Sequence, residues 1–194
     1  FDVLVNNAGT NDRQDWDENW IMPNDTKKII IDTNFYSTVS FTEKMLPYLS
    51  SDGKIIMISS NLAKLEFQGE PVRKFLQNSE MTLEDLLKEM KDFEEKAYKN
   101  EHIKAGYSKQ IYHVTKAFLN AYTRWILPKK LKEGQTAFNV HPGWIKTRLG
   151  GYDAAPQPIE ESVISTLRVF NLDHEESLKW NGKFIDEKGE PFEY

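Results

Sequence analysis

The chain has 194 residues, 39% hydrophobic and 12% aromatic, enough apolar material for one packed domain and too much for a disordered segment. A formal net charge of −5 and a pI near 5.5, with no basic stripe, argue against nucleic acid as a main partner. The absence of cysteine excludes disulfides, thiolate metal sites and a cysteine nucleophile, and is compatible with a reducing, cytoplasmic compartment.

Residues 1–5 are apolar and partly β-branched and stop at Asn6-Asn7-Ala8-Gly9, which reads as a buried parallel strand ending in a turn. Residues 10–24, with Trp16, Trp20 and Pro23, read as an irregular surface stretch. Asn24-Asp25-Thr26 is a candidate cap for a helix running to about Leu49. Ile29, Ile30, Thr33 and Phe41 fit its buried face, and Pro47 should disturb its last turn. After a turn at 51–53, Lys54 to Ser59 is a second buried strand that ends at Ser59-Ser60-Asn61. The longest apolar runs, 29–31 and 55–58, are far too short to span a bilayer, so no membrane is expected, and no signal peptide is visible.

Residues 62–106 read as a charged helical insertion. Thr82 followed by Glu84 and Asp85 signals a helix start, and Leu83, Leu86, Leu87, Met90 and Phe93 recur at helical spacing. A further helix is predicted from Ser108 to about Leu131, ended or kinked by Pro128. Thr136 to Val140 is a third strand, ending at His141-Pro142-Gly143. Residues 150–158 read as a mobile loop, 160–170 as a last helix and 182–185 as a last strand. Strands alternating with helices imply a parallel α/β sheet covered on both faces, with ligands at the carboxyl ends of the strands. Asn7, Ser60 and Pro142-Gly143 each follow such an end, so three polar motifs converge on one edge.

Tyr112 and Lys116 stand four apart on the predicted helix and point the same way. An ammonium beside a phenol is expected to lower its usual pKa of about 10 and make it a proton donor or acceptor near neutral pH. The four histidines, His102, His113, His141 and His174, show no ligand spacing, and no metal site is expected.

The ordered set Asn6-Asn7-Ala8-Gly9, Asn34, Ser59-Ser60, Tyr112-x-x-x-Lys116 and Pro142-Gly143 with Thr147 resembles the short-chain dehydrogenase/reductase family. The likeness runs along nearly the whole chain. The long stretch between Ser60 and Tyr112, Trp144, Thr147-Arg148-Leu149-Gly150 and Gly182-Lys183-Phe184 are similar to the monomeric carbonyl reductases and plant relatives such as salutaridine and menthone reductases. The resemblance implies a doubly wound, Rossmann-type sheet over residues 1–194 as a single domain, the C-terminal part of such a reductase, with 62–106 as the insertion. It implies NADPH as cofactor, a small-molecule carbonyl substrate and a monomer when full length.

The roles implied are these. Tyr112 gives a proton to the substrate oxygen, which Ser60 also holds. Lys116 holds the nicotinamide ribose, and Asn34 holds a water behind it. Asn7, Ala8 and Gly9 lie along the adenosine side of the cofactor. Pro142 and Gly143 belong to the cofactor-binding set, Ile145 and Thr147 contact the carboxamide, and Trp144 walls the substrate pocket. Ser59 is the neighbour that competes with Ser60 for the active place. His113 stands where the family has a small residue, and the stretch 10–23 is longer than usual.

The glycine-rich phosphate turn of the family does not precede Asn6. Two readings follow: a reductase whose N-terminal segment is cut, unresolved or carried on another chain, or a structural or interaction protein of reductase descent with an incomplete nucleotide site. Under either, an exposed 1–5 strand is expected to need a covering partner or to aggregate.

Overall fold

A computed structural model describes residues 1–12 and 20–192. The expected irregular stretch at 10–24 is therefore described only at its ends, and Trp16 lies outside the described residues. Five strands form one sheet in the order β1 (Val3–Asn6), β2 (Lys54–Ile58), β3 (Thr136–Val140), β4 (Phe184–Ile185) and β5 (Pro191–Phe192). The first four are parallel, with Asn6 opposite Met57 and Ile58 opposite Val140, while β5 returns antiparallel to β4. The two-residue β5 carries Pro191 and escapes any reading of periodicity, because it has no room for alternation.

Helices cover both faces. Alternate residues of a strand point to opposite sides, so Ile55 and Met57 enter the larger core while Ile56 enters the smaller one with Phe138, Val140 and Val169. β2 and β3 are buried as expected. β1 departs from the prediction: Phe1 is 41% and Val5 43% exposed. The reason is position, since among the described residues β1 pairs on one side only.

The predicted first long helix is one helical run in four parts: α1 (Asn24–Ile31), a π-turn (Asp32–Tyr36), α2 (Ser37–Met45) and a 3-10 turn at Leu46–Tyr48 that holds Pro47. Its start is set by Pro23, with no side-chain cap, rather than by the polar triplet that follows. The buried stripe is Lys27, Ile30, Ile31, Asn34, Phe35, Thr38, Val39 and Thr42. Ile29 and Phe41 were expected on it, but each sits one position off, about 100° round the helix, and both are exposed.

Within 62–106 lie α3 (Glu70–Leu76) and α4 (Leu83–Tyr98). The start of α4 follows the sequence signal: Thr82 and Asp85 form a reciprocal capping box, and Leu86, Met90 and Phe93 are fully buried. Its far end docks on α1 through Lys27, a buried ammonium that donates to Ala97 O at 2.8 Å and Asn100 Oδ1 at 2.7 Å. α5 (Ile111–Ala121) passes into a π-turn at Tyr122–Ile126 and a 3-10 turn at Leu127–Lys129, where Pro128 removes the helical N–H.

The expected last helix begins as a 3-10 turn over Ile159–Val163 and becomes α6 (Ile164–Phe170). A further helix, α7 (His174–Trp180), went unpredicted although Asp173 accepts from Glu176 N in the manner of an N-cap.

Candidate active site

The carboxyl ends of β1, β2 and β3 do lie side by side. Ser59 N donates to Val140 O at 2.8 Å, continuing the ladder one residue past β2. The two serines there divide. Ser59 Oγ is spent in the core, 2.5 Å from Asn120 Oδ1. Ser60 caps the short turn at Asn61–Ala63, accepting from Leu62 N at 3.2 Å, and its hydroxyl is hydrogen-bonded to the Tyr112 phenol.

Tyr112 and Lys116 share one face of α5, with Lys116 Nζ 5.8 Å from the Tyr112 ring centroid. Lys116 is 3% exposed and donates to Ile58 O at 2.7 Å, at the end of β2. Burial pushes its pKa down to about 8. The expectation that Lys116 lowers the phenol is corrected here. Burial raises the Tyr112 pKa, and only the Ser60 hydrogen bond opposes that shift. The physical reason is that desolvation disfavours the charged form of both groups, and the ammonium is aimed at a carbonyl.

Asn34 sits in the π-turn, fully buried. Its Oδ1 accepts from Thr10 N at 2.8 Å, and its Nδ2 donates to Thr10 O at 2.9 Å and Thr115 Oγ1 at 3.2 Å. Both amide hydrogens are thereby used. Thr115 Oγ1 in turn donates to Tyr112 O at 2.9 Å, so Asn34 ties the segment after β1 to the first turns of α5. Asn7, Ala8 and Gly9 are exposed along this edge. A Cβ on Gly9 would lie 3.5 Å from Lys116 Nζ and 3.6 Å from Asn34 Oδ1, so the backbone there passes directly over the lysine.

Pro142-Gly143 opens a loop that folds on itself. Ile145 is buried and bridges Gln157 in parallel, while Thr147 is exposed. The Thr147 amide donates to Ile145 O at 2.7 Å, and its hydroxyl accepts from Gly150 N at 3.1 Å, so Thr147 shapes a turn. Trp144 is 54% exposed. The loop read as mobile is thus internally bonded. The sequence reading missed its organiser, Gln157, because a lone glutamine 13 residues after Trp144 carries no local signal. It also missed Thr10 and Thr115, although Thr115 lies inside the Tyr-to-Lys motif. His113 is buried, with Nδ1 3.2 Å from Ser108 Oγ and its ring 4.8 Å from Phe67, and burial pushes its pKa down to about 4. Among the described residues no three His, Cys, Asp or Glu side chains gather as a metal site, and no helix is long and apolar enough to cross a membrane.

The residues present fit a nicotinamide ribose. Lys116 has three N–H groups and one hydrogen bond among the described residues, and a side-chain-free shelf at Gly9 lies above it.

Residues 1–72 match the family model for short chain dehydrogenase. The chain is 30% identical over 197 residues to "Carbonyl reductase [NADPH] 1" of Macaca fascicularis, covering 97% of this chain and 68% of that protein. It is 29% identical over 172 residues to "Carbonyl reductase [NADPH] 1" of Mus musculus, covering 82% of this chain and 59% of that protein. The chain thus spans about three-fifths of the length of several curated relatives it matches. Its fold resembles salutaridine reductase from Papaver somniferum, with TM-score 0.79, 22% identity, and coverage of 95% of this chain and 72% of that one. It also resembles an NADPH-bound carbonyl reductase from chicken fatty liver, with TM-score 0.59, 22% identity, and coverage of 100% and 66%. At these identities the structural likenesses speak for the fold, a Rossmann-type α/β sheet.

Proposed function

The chain belongs to the short-chain dehydrogenase/reductase family, and on that premise we propose that it reduces a ketone or aldehyde to an alcohol with NADPH, with Tyr112 as the proton donor. The observation that carries this reading is the gathering of the Ser60 hydroxyl, the Tyr112 phenol and the Lys116 ammonium at the carboxyl end of β2.

Bound NADPH supplies the hydride. The protein's part is to hold the carbonyl oxygen and to protonate it as negative charge develops there. A phenol whose pKa is raised by burial keeps its proton at neutral pH, which is the state a donor in the reductive direction needs. Ser60, already bonded to that phenol, offers the second hydrogen bond to the same oxygen. Lys116, with N–H groups left over after its hydrogen bond to Ile58 O, would hold the ribose hydroxyls of the bound cofactor.

Asn34 positions both neighbours. With both amide hydrogens used, a water behind Lys116 must take the second lone pair of Oδ1 or the main-chain carbonyl. Asn7, Ala8 and Gly9 are assigned to the adenosine side, Pro142, Gly143, Ile145 and Thr147 to the nicotinamide side, and Trp144 to the substrate wall. We read the 62–106 segment as an insertion whose apolar side faces inward at Leu86, Met90 and Phe93, in keeping with a monomer.

The test is an NADPH titration of the protein followed by cofactor fluorescence, with turnover of carbonyl compounds. Tyr112→Phe should lower turnover by orders of magnitude while NADPH still binds. Unchanged turnover in that variant would refute the assignment.

A further inference from the structure

We propose that Gln157 is a positioning residue that presents the Trp144 indole as a fixed platform for a carbonyl carried on an apolar ring. This deepens the reductase reading and rests on it. Three hydrogen bonds hold Trp144. Its amide donates to Gln157 Oε1 at 2.7 Å, its carbonyl accepts from Gln157 N at 3.2 Å, and its indole Nε1 donates to Gly150 O at 2.7 Å. Gln157 O also accepts from Lys146 N at 2.9 Å, which closes the loop from both sides of the tryptophan.

Every polar group of Trp144 is therefore satisfied inside the loop, yet 54% of the residue faces solvent. An indole that is held rigid with about half of the residue in water loses rotamer freedom for only part of the burial it could gain. That cost is recovered when an apolar ligand covers the ring. Leu149 and Tyr152, on the same loop, are also exposed, at 46% and 55%. Trp144 lies on the loop that leaves β3 at Val140, the register partner of Ile58 at the end of β2.

Gly143 belongs to the same device. Its φ is +94°, and a Cβ there would come within 2.1 Å of Gln157 Oε1. The absent side chain is thus what lets the Gln157 amide reach the Trp144 N–H.

The experiment compares Gln157→Ala and Gln157→Glu with the unaltered protein. One readout is the KM and kcat for acetophenone and for propanal. The other is the near-ultraviolet circular dichroism of the indole, taken as the difference between each protein and its Trp144→Phe derivative. Gln157→Ala should lose most of the Trp144 signal and raise KM for acetophenone by about fivefold or more, with kcat and the propanal constants little changed. Gln157→Glu, whose carboxylate still accepts from Trp144 N, should restore both. An unchanged indole signal in Gln157→Ala overturns the positioning role. A lost signal with equal effects on both substrates overturns the specificity role. Absence of turnover in the unaltered protein would sink the reductase reading instead, and the indole signal would still decide whether Gln157 fixes Trp144.

Discussion

The Asn34 side chain and the Thr10 backbone exchange two hydrogen bonds, 2.8 Å from the Thr10 amide and 2.9 Å to its carbonyl. The pair behaves like one rung of a ladder between a helix and the loop after β1. It fixes the path of Gly9 over Lys116. Asn34→Ala removes both bonds and the one to Thr115, leaving buried groups unpaired. It should cost about 1–3 kcal/mol in urea unfolding and weaken NADPH binding. Loss of stability with unchanged binding would separate the fold from the site.

Lys116 predicts a rise of stability with alkaline pH. Its folded pKa of about 8 lies below the ordinary value of 10.5, so the unfolded chain binds more protons between those values. Stability must then increase as pH climbs from 8. The penalty for burying the charged form, present in full below pH 8, is about 3 kcal/mol. Lys54, also lowered by burial, adds in the same sense. Above pH 10 the tyrosines with raised values, Tyr36, Tyr98, Tyr107, Tyr112 and Tyr122, reverse the trend, because the unfolded chain then loses protons that the fold retains. Lys116→Met should flatten the rise between pH 8 and 9.5, as read from urea midpoints.

At the acid end His113 acts in the same sense as Lys116, in a lower pH window. Its folded pKa of about 4, against 6.5, means that the unfolded chain takes up a proton first. Stability should fall as pH drops from 6.5 to 4, by about 3 kcal/mol for this residue at full effect. His102 and His141, lowered by burial as well, contribute in the same window. His113→Asn should reduce the slope without abolishing it. An identical pH profile would show that the ring does not stay neutral in the fold.

The start of α4 offers a local test. Thr82→Ala removes a capping box and should cost about 1 kcal/mol. Thr82 also holds the Asp85 carboxyl below its ordinary range, so the Asp85 contribution is present above the unfolded value near 3.8 and lost as pH falls through the folded one. Thr82→Ala and Asp85→Ala should be non-additive in a double-mutant cycle. Additive effects would mean that the two groups act separately.

The features legible in the residues alone are local. Thr82 as a cap, Pro47 and Pro128 as helix terminators, and the Tyr112–Lys116 pairing depend on neighbours within about four residues, and these the chain specifies directly. Alternating strands and helices were enough to bring Asn7, Ser60 and Gly143 to one edge. α7 and β5 were missed, the first despite its Asp173 cap and the second because two residues show no period. Ile29 and Phe41 were misplaced because apolar character does not say which side of a helix meets the sheet.

The order of the family motifs and the helix and strand pattern were settled by the sequence itself, since both rest on residue identity and short spacing. The sign of the Tyr112 shift, the choice of Ser60 over Ser59 for the phenol, the Asn34 clasp on Thr10 and the hold of Gln157 on Trp144 were decided only in the tertiary structure. Each depends on desolvation or on a hydrogen bond between segments far apart in the chain, and neither exists until the packed fold removes water and brings those segments together.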